Sequence, residues 1–150
     1  MDVKIAFLNG DLDEEIYMDQ PEWFIELGEE NKVCKLTKSL YGLKQAPKQW
    51  HEKFDSCMIE NGLKSNECDK CIYRKSFENS HVIISLYVDD MLIFGSNLHI
   101  INETKNILSR HFDMKDLGGA NFILGIKMKK TCDGILLDQT QYIEKPLLQR

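Results

Sequence analysis

The stretch VIISLYVDDMLIFG, residues 82–95, decides the fold of this chain. Two apolar runs, Val82–Val88 and Met91–Phe94, are separated only by Asp89 and Asp90. Short apolar runs on either side of a polar pair are typical of two antiparallel strands joined by a tight turn. The neighbours of the two carboxylates favour burial, and an unpaired buried carboxylate is costly. Asp89 and Asp90 are therefore predicted to lie at the tip of a hairpin or to bind a ligand.

Two acidic residues are an unusual choice for such a turn. Tight two-residue turns prefer Asn-Gly or Asp-Gly, because their central residues need a positive φ. Adjacent carboxylates also repel each other, and a divalent cation with oxygen ligands removes that repulsion. Asp2 is a candidate third carboxylate, since it lies on the polar face of a predicted strand that could pair beside the hairpin. Two interpretations stay open: a solvated turn, and a metal site of the kind used in two-metal phosphoryl transfer.

The remaining periodic segments predict an α+β fold. Asp2–Phe7 alternates between two faces, as a half-buried strand does. Helices are predicted from Ala46 to about Asn61 and after Asn97, and further strands over residues 121–129 and 135–137. This order of elements is typical of a mainly antiparallel sheet with helices packed on one face.

Composition and charge describe one ordinary domain with uneven charge. The chain has 150 residues, of which 43% are hydrophobic, and a net charge of −5. No segment is long and apolar enough for a membrane span, and no leader is evident. Five cysteines is an odd number, which argues against a disulfide framework. We therefore expect reduced thiols and an intracellular protein. Residues 11–30 carry nine acidic and no basic side chains, whereas residues 32–53 carry six lysines against one glutamate. The acidic segment is interpreted as a solvated loop, and the basic one as a solvated face or a phosphate-binding patch.

Two possible zinc motifs are incomplete. Cys68 and Cys71 form a CxxC, but structural zinc sites need a second closely spaced pair, which is missing. His51 and Glu52 begin an HExxH motif, yet its last position holds Asp55. We therefore predict no zinc or redox chemistry, and the sequence leaves any other role of the two cysteines open.

Four motifs carry a resemblance that covers Asp2 to about Lys145. In order they are MDVKIAFLNGDLDEEIYMDQPE, KVCKLTKSLYGLKQAPKQW, LYVDDMLIFG and MKDLGGANFILGIKM. Their order and spacing resemble the reverse transcriptase of copia-type LTR retrotransposons. The resemblance implies that residues 1–150 are a partial reverse transcriptase domain, the palm of a right-hand polymerase without its finger segment and thumb. The family pattern differs at Ile5, Trp23 and Pro146, and Pro146 would break a terminal helix.

The resemblance also implies a set of catalytic and metal-binding residues. Asp2, Asp89 and Asp90 correspond to the catalytic aspartates, which hold two Mg²⁺ ions, with Mn²⁺ as a possible substitute. The implied reaction is attack of a primer 3′-hydroxyl on the α-phosphate of a deoxynucleotide. The implied partners are an RNA or DNA template with its primer, the dNTP and the rest of a Pol polyprotein, in the cytoplasm and with no membrane. The alternative is a catalytically inert retrotransposon-derived fragment or a small interaction module.

Further residues are assigned to substrates by the resemblance. Phe7 corresponds to the bulky residue beneath the incoming sugar, although its place in the alternation alone predicts a core residue. Tyr41 and Gly42 correspond to a segment along the nucleotide, where a glycine permits close backbone approach. The residues assigned to primer and template are Lys44, Lys48, Tyr87, Leu124, Gly125 and Ile126.

Overall fold

The structure, a computed structural model, describes residues 1–140 and residue 143. In chain order its elements are strands β1 (Asp2–Val3), β2 (Tyr17–Asp19) and β3 (Val33–Lys35), helix α1 (Ala46–Glu60), strands β4 (Lys64–Ser65), β5 (Ile72–Ser76), β6 (His81–Tyr87) and β7 (Asp90–Gly95), helix α2 (Leu98–His111), and strands β8 (Met114–Lys115), β9 (Phe122–Ile123), β10 (Ile126–Thr131) and β11 (Gly134–Asp138). Short 3-10 helices cover Ala6–Asn9 and Glu22–Phe24. Neither α-helix in this part of the chain is long and apolar enough to cross a membrane.

The central element is a six-stranded antiparallel sheet in the order β4-β5-β6-β7-β1-β8. Its middle is the predicted hairpin of β6 and β7. Val82, Ile84 and Leu86 alternate with more exposed residues along β6, and Leu86 lies opposite the buried Met91 of β7. Directly opposite residues share a face of the sheet. One face of the hairpin is therefore apolar and buried, and the other faces outward.

Both helices cover the buried face. The helix predicted from Ala46 is α1, and its apolar stripe packs Trp50 against Phe112 at 5.2 Å and Phe54 against Tyr73 of β5 at 5.4 Å between ring centroids. The second predicted helix is α2, which begins after Asn97, whose side chain accepts a hydrogen bond from the Ile100 N–H at 3.0 Å. The prediction of an antiparallel sheet with helices on one face is confirmed for the described residues.

The predicted strand over Asp2–Phe7 is wrong beyond its second residue. Only Asp2 and Val3 pair as strand β1, and the chain then turns into the 3-10 helix Ala6–Asn9. Ile5 stands at the bend with φ 52°, a left-handed conformation that ends the regular alternation. The bend moves Phe7 out of the sheet and into the core beside α1.

The single strand predicted over residues 121–129 is in fact a hairpin. Strands β9 and β10 pair with Ile123 opposite Ile126, so Leu124 and Gly125 form a two-residue turn with φ 50° and 77°. Two positive φ values are what such a turn demands. The strand predicted at residues 135–137 is present as β11, which completes a separate three-stranded sheet, β11-β10-β9. Pro146 and the terminal helix that it was predicted to break lie outside the described residues.

Candidate active site

A row of four side chains crosses the outward face of the central sheet. The register places Tyr87 opposite Asp90, Asp90 opposite Asp2, and Asp2 opposite Lys115 on its other side. Opposite residues of antiparallel strands point to the same face, so two carboxylates lie side by side between a phenol and an ammonium group. Asp2 and Asp90 are both half-buried. The helices do not cover this face, and the row is accessible from solvent.

The third carboxylate, Asp89, lies at the tip of the hairpin. Tyr87 and Asp90 pair across the turn, so the two turn residues are Val88 and Asp89. The prediction that Asp89 and Asp90 form the turn is therefore wrong by one residue, and Asp90 begins β7. The positive φ that the turn requires, 56°, falls on Val88. The Val3 N–H donates to the Asp89 carbonyl at 2.8 Å, which joins the tip to the strand of Asp2.

Phe7 and Tyr41 form a tilted aromatic pair, and Tyr41 is close enough to Asp89 and Asp2 for their charges to act on its phenol. Their ring centroids are 4.2 Å apart, with Phe7 buried and Tyr41 exposed. Burial raises the pKa of the Tyr41 phenol, and the negative charges of Asp89 and Asp2 raise it further. Both carboxylates therefore act on the same phenol. Tyr41 thus connects residues that the sequence analysis assigned to catalysis, Asp2 and Asp89, with Phe7, which is part of the core.

The donors at this site fit magnesium as it is usually bound. Mg²⁺ takes oxygen ligands, keeps several waters, and is held in most sites by one or two carboxylates together with substrate phosphates. Asp2 and Asp89 supply carboxylates from two hydrogen-bonded segments, and Asp90 supplies a further one from the same row. Within residues 1–140 and 143, no three His, Cys, Asp or Glu side chains converge to form a metal cage by themselves. The fit is to an ion completed by water and substrate oxygens.

Most of the lysines in the basic segment are already paired with the acidic segment. Lys35 bonds to Glu15, Lys38 and Lys53 both bond to Asp11, and Lys32 bonds to Glu29. Strands β2 and β3, which pair with each other, hold the two segments together. The acidic segment is therefore not simply a solvated loop, because it neutralises much of its basic neighbour.

Lys44 and Lys48 are the two predicted template contacts, and both are exposed near the start of α1. Lys48 has an ion pair with Glu52 one turn on, at 3.6 Å. Lys44 has no carboxylate within ion-pair distance among the described residues. Gly42 precedes them at φ 95°, with no atom within 4 Å of the position that a Cβ would take. The space beside its backbone is therefore open.

The predicted primer contacts lie in two different sheets. Tyr87 belongs to the row of carboxylates and is 57% exposed. Leu124, Gly125 and Ile126 lie at the β9–β10 turn of the three-stranded sheet, with no strand pairing to the row. Gly125 therefore serves a tight turn between these two strands.

Sequence reasoning missed Lys115. It lies in strand β8, directly opposite Asp2, and it completes the row with a positive charge. An opposite charge across a strand pair offsets part of the repulsion between Asp2 and Asp90. No signal in the sequence could have singled it out, because strand β8 has only two residues and its register is set by contact with β1.

Comparison with known proteins identifies one family. The family described as "Reverse transcriptase (RNA-dependent DNA polymerase)" matches residues 1–149. The Retrovirus-related Pol polyprotein from transposon TNT 1-94 of Nicotiana tabacum is 53% identical over 150 residues, which cover 98% of this chain and 11% of that protein. The corresponding polyprotein from transposon RE1 of Arabidopsis thaliana is 38% identical, covering 95% of this chain and 10% of that protein.

A third relative is shorter. The putative transposon Ty5-1 protein of Saccharomyces cerevisiae is 35% identical over 146 residues, which cover 97% of this chain and 47% of that protein. The chain thus spans about a tenth of the two plant polyproteins and about half of the yeast protein. No solved structure matches this chain.

Proposed function

Since this chain belongs to the reverse transcriptase (RNA-dependent DNA polymerase) family, we propose that it is the palm segment of an RNA-directed DNA polymerase. The reaction is transfer of a deoxynucleotide to a primer 3′-hydroxyl, with Asp2, Asp89 and Asp90 as the metal-binding carboxylates. The substrates are a dNTP and a primer on an RNA or DNA template. The partner is the rest of a copia-type Pol polyprotein, in the cytoplasm.

The observation that carries this proposal is the pairing of Asp2 with Asp90 on the face that the helices leave open, with Asp89 in the adjoining turn. Asp2 and Asp90 are paired residues of neighbouring strands, and Asp89 bonds through its carbonyl to the residue after Asp2. A solvated turn needs no third carboxylate on an adjacent strand. Such a pairing of like charges destabilises a sheet unless a cation or a cationic side chain offsets it.

The carboxylates have a defined task in this reaction. Asp2 and Asp89 would hold Mg²⁺, which when bound activates the primer hydroxyl and stabilises the leaving pyrophosphate. Asp90 adds negative charge from the same row, and Lys115 limits the repulsion within it. Because the row lies on an open sheet face, a primer end and a triphosphate can approach it from the side opposite the helices.

The nucleotide contacts follow from the aromatic pair. Phe7 is fixed by core packing and by Tyr41, so its ring is a rigid surface beneath the phenol that faces the carboxylates. A rigid ring at this position leaves no room for an extra hydroxyl on the sugar, which accounts for selection of deoxyribose. Tyr41 and Gly42 form the adjoining surface along the base and template. Lys44 and Lys48 contact template phosphates from the start of α1.

The test is extension of a DNA primer on an RNA template by the purified chain in Mg²⁺. We expect extension by the native chain, loss of extension for Asp89→Asn, and native extension for Asp133→Asn, a matched change at an exposed aspartate outside the row. Folding of each variant is checked by circular dichroism. Folded native chain that adds no nucleotide, or extension that survives Asp89→Asn, contradicts the proposal for this chain.

A further inference from the structure

Trp50 is buried in the core yet has one polar contact at the site. Its side chain is 2% exposed and packs against the rings of Phe54 and Phe112. Its indole N–H donates to the Val88 carbonyl at 2.6 Å. Buried tryptophans usually find one such acceptor, but this one is at the tip of the hairpin that carries Asp89. This hydrogen bond connects the core to the turn.

The turn needs such a restraint because its conformation is strained. Val88 has φ 56°, and the left-handed region is unfavourable for a β-branched residue. Strained residues persist only where surrounding contacts hold them in place. The ladder of β6 and β7 fixes Tyr87 and Asp90 on either side of the turn, and the Val3 N–H binds the Asp89 carbonyl. The bond from Trp50 restrains the Val88 carbonyl between these two anchors.

The same helix also contacts the segment that follows Asp2. A Cβ on Gly10 would lie 2.9 Å from the Gln49 Cβ and 3.2 Å from the Trp50 backbone N, so α1 packs directly on this segment. One turn of α1 therefore contacts the segment that follows Asp2 and the turn that carries Asp89. It touches one through Gly10 and the other through the Trp50 indole.

We propose that Trp50 is a positioning residue, whose indole N–H holds the Val88–Asp89 turn in its strained form and so fixes Asp89 against the strand of Asp2. This inference rests on the proposed function for its consequence in catalysis. Its structural part, the restraint of the turn, is independent of any activity. Loss of the N–H loosens the turn, lengthens the bond between Val3 and Asp89, and slows nucleotide addition without weakening dNTP binding to the same degree.

The test replaces the Trp50 indole by benzothiophene, an analogue of nearly the same shape in which sulfur replaces the N–H. Amide hydrogen exchange is measured at Val3 and Lys4, which are neighbours with different acceptors. The Val3 N–H donates to Asp89, whereas the Lys4 N–H donates to the Asp113 carbonyl at 2.9 Å on the opposite edge. We expect exchange at Val3 to accelerate about five- to tenfold, the equivalent of one buried hydrogen bond, with Lys4 unchanged. A second change, Val88→Gly, should restore much of the protection, since glycine adopts this φ without strain.

Two further measurements make the outcome unambiguous. In the native chain, the indole N–H of Trp50 should exchange far more slowly than that of Trp23, which is 91% exposed and serves as an internal control. Equal rates for the two indoles, or unchanged exchange at Val3 in the analogue, overturn the inference. In primer extension, we expect the analogue to lower kcat about five- to tenfold with KM for dNTP nearly unchanged. A native chain that restrains the turn as described but extends no primer contradicts the proposed function and leaves the restraint by Trp50 intact.

Discussion

Replacing Gly10 by Ala separates steric contact from backbone conformation at the end of the 3-10 helix Ala6–Asn9. Gly10 is buried and has ordinary extended angles, φ −72° and ψ 134°, so alanine fits its backbone. The space beside it does not accept a methyl group. The added Cβ would meet the Gln49 Cβ at 2.9 Å and the backbone of Gln49 and Trp50 at 3.2 Å. Since two of these atoms belong to the backbone of α1, no side-chain rotation can relieve the contact.

The expected change in stability is the difference between two effects. Alanine in a compatible conformation stabilises a protein by about 0.4 to 1 kcal/mol through the unfolded state. Overpacking in a well-packed core costs about 1 to 3 kcal/mol. The midpoints of the two ranges give a net loss for Gly10→Ala of about 1.3 kcal/mol, which lowers Tm by about 3 to 5 °C for a domain of this size.

The control is Gly119→Ala, at a glycine with no atom within 4 Å of the added Cβ and no left-handed φ. There only the effect on the unfolded state remains, and we expect a gain of about 0.4 to 1 kcal/mol. Urea and thermal unfolding followed by circular dichroism give both values. If Gly10→Ala is as stable as the native chain, α1 does not pack on Gly10 as described, and the argument that α1 contacts the segment that follows Asp2 fails.

Three further predictions concern charge and thiols. Asp11→Asn should lower the free energy of unfolding near neutral pH, because hydrogen bonds from two lysines hold the pKa of the Asp11 carboxyl below its usual 3.8. This loss of stability shrinks as the pH falls through the lowered pKa of Asp11. Urea titrations at about pH 7 and about pH 2.5 measure it. A loss of equal size at both pH values contradicts the ion pairing. Burial raises the pKa of the Cys57 thiol to about 11. Iodoacetamide should therefore modify the exposed Cys68 well before Cys57, which peptide mass spectrometry measures. Equal modification rates of the two thiols contradict the burial of Cys57. Lys44→Ala should reduce the salt dependence of nucleic-acid binding by about one phosphate contact, whereas Lys38→Ala, whose lysine pairs with Asp11, should change it much less; equal slopes contradict the assignment.

The predictable parts of the fold are those set by local pattern. The hairpin of β6 and β7 follows from apolar runs around a polar pair, and α1 and α2 follow from stripes, an early proline and the Asn97 cap. The sequence pattern places the turn one residue late, because the groups that bind it, Trp50 and the Val3 N–H, are distant in sequence. No local rule places a left-handed φ on Val88, whose residue type disfavours it.

The site was only partly accessible to sequence reasoning for the same reason. The cost of burying carboxylates singled out Asp89 and Asp90 without any structural knowledge. The strand position of Asp2 makes it a candidate third carboxylate, and only the family resemblance assigns it a catalytic role. The row itself depends on strand register, which places Lys115 beside Asp2 and which sequence pattern does not determine. The pairing of Asp11 with lysines of the basic segment is likewise a tertiary contact.

The central claim is that Asp2 and Asp89 together hold the metal ions of the proposed reaction. Titration of the chain with Mn²⁺, followed by electron paramagnetic resonance of the free ion in the presence of dNTP and primer–template, tests it directly. Relative to the same mixture without protein, we predict binding of about two additional ions per chain, loss of this additional binding in Asp2→Asn and in Asp89→Asn, and native binding in Asp133→Asn. Unchanged Mn²⁺ binding in either of the first two variants would contradict the claim.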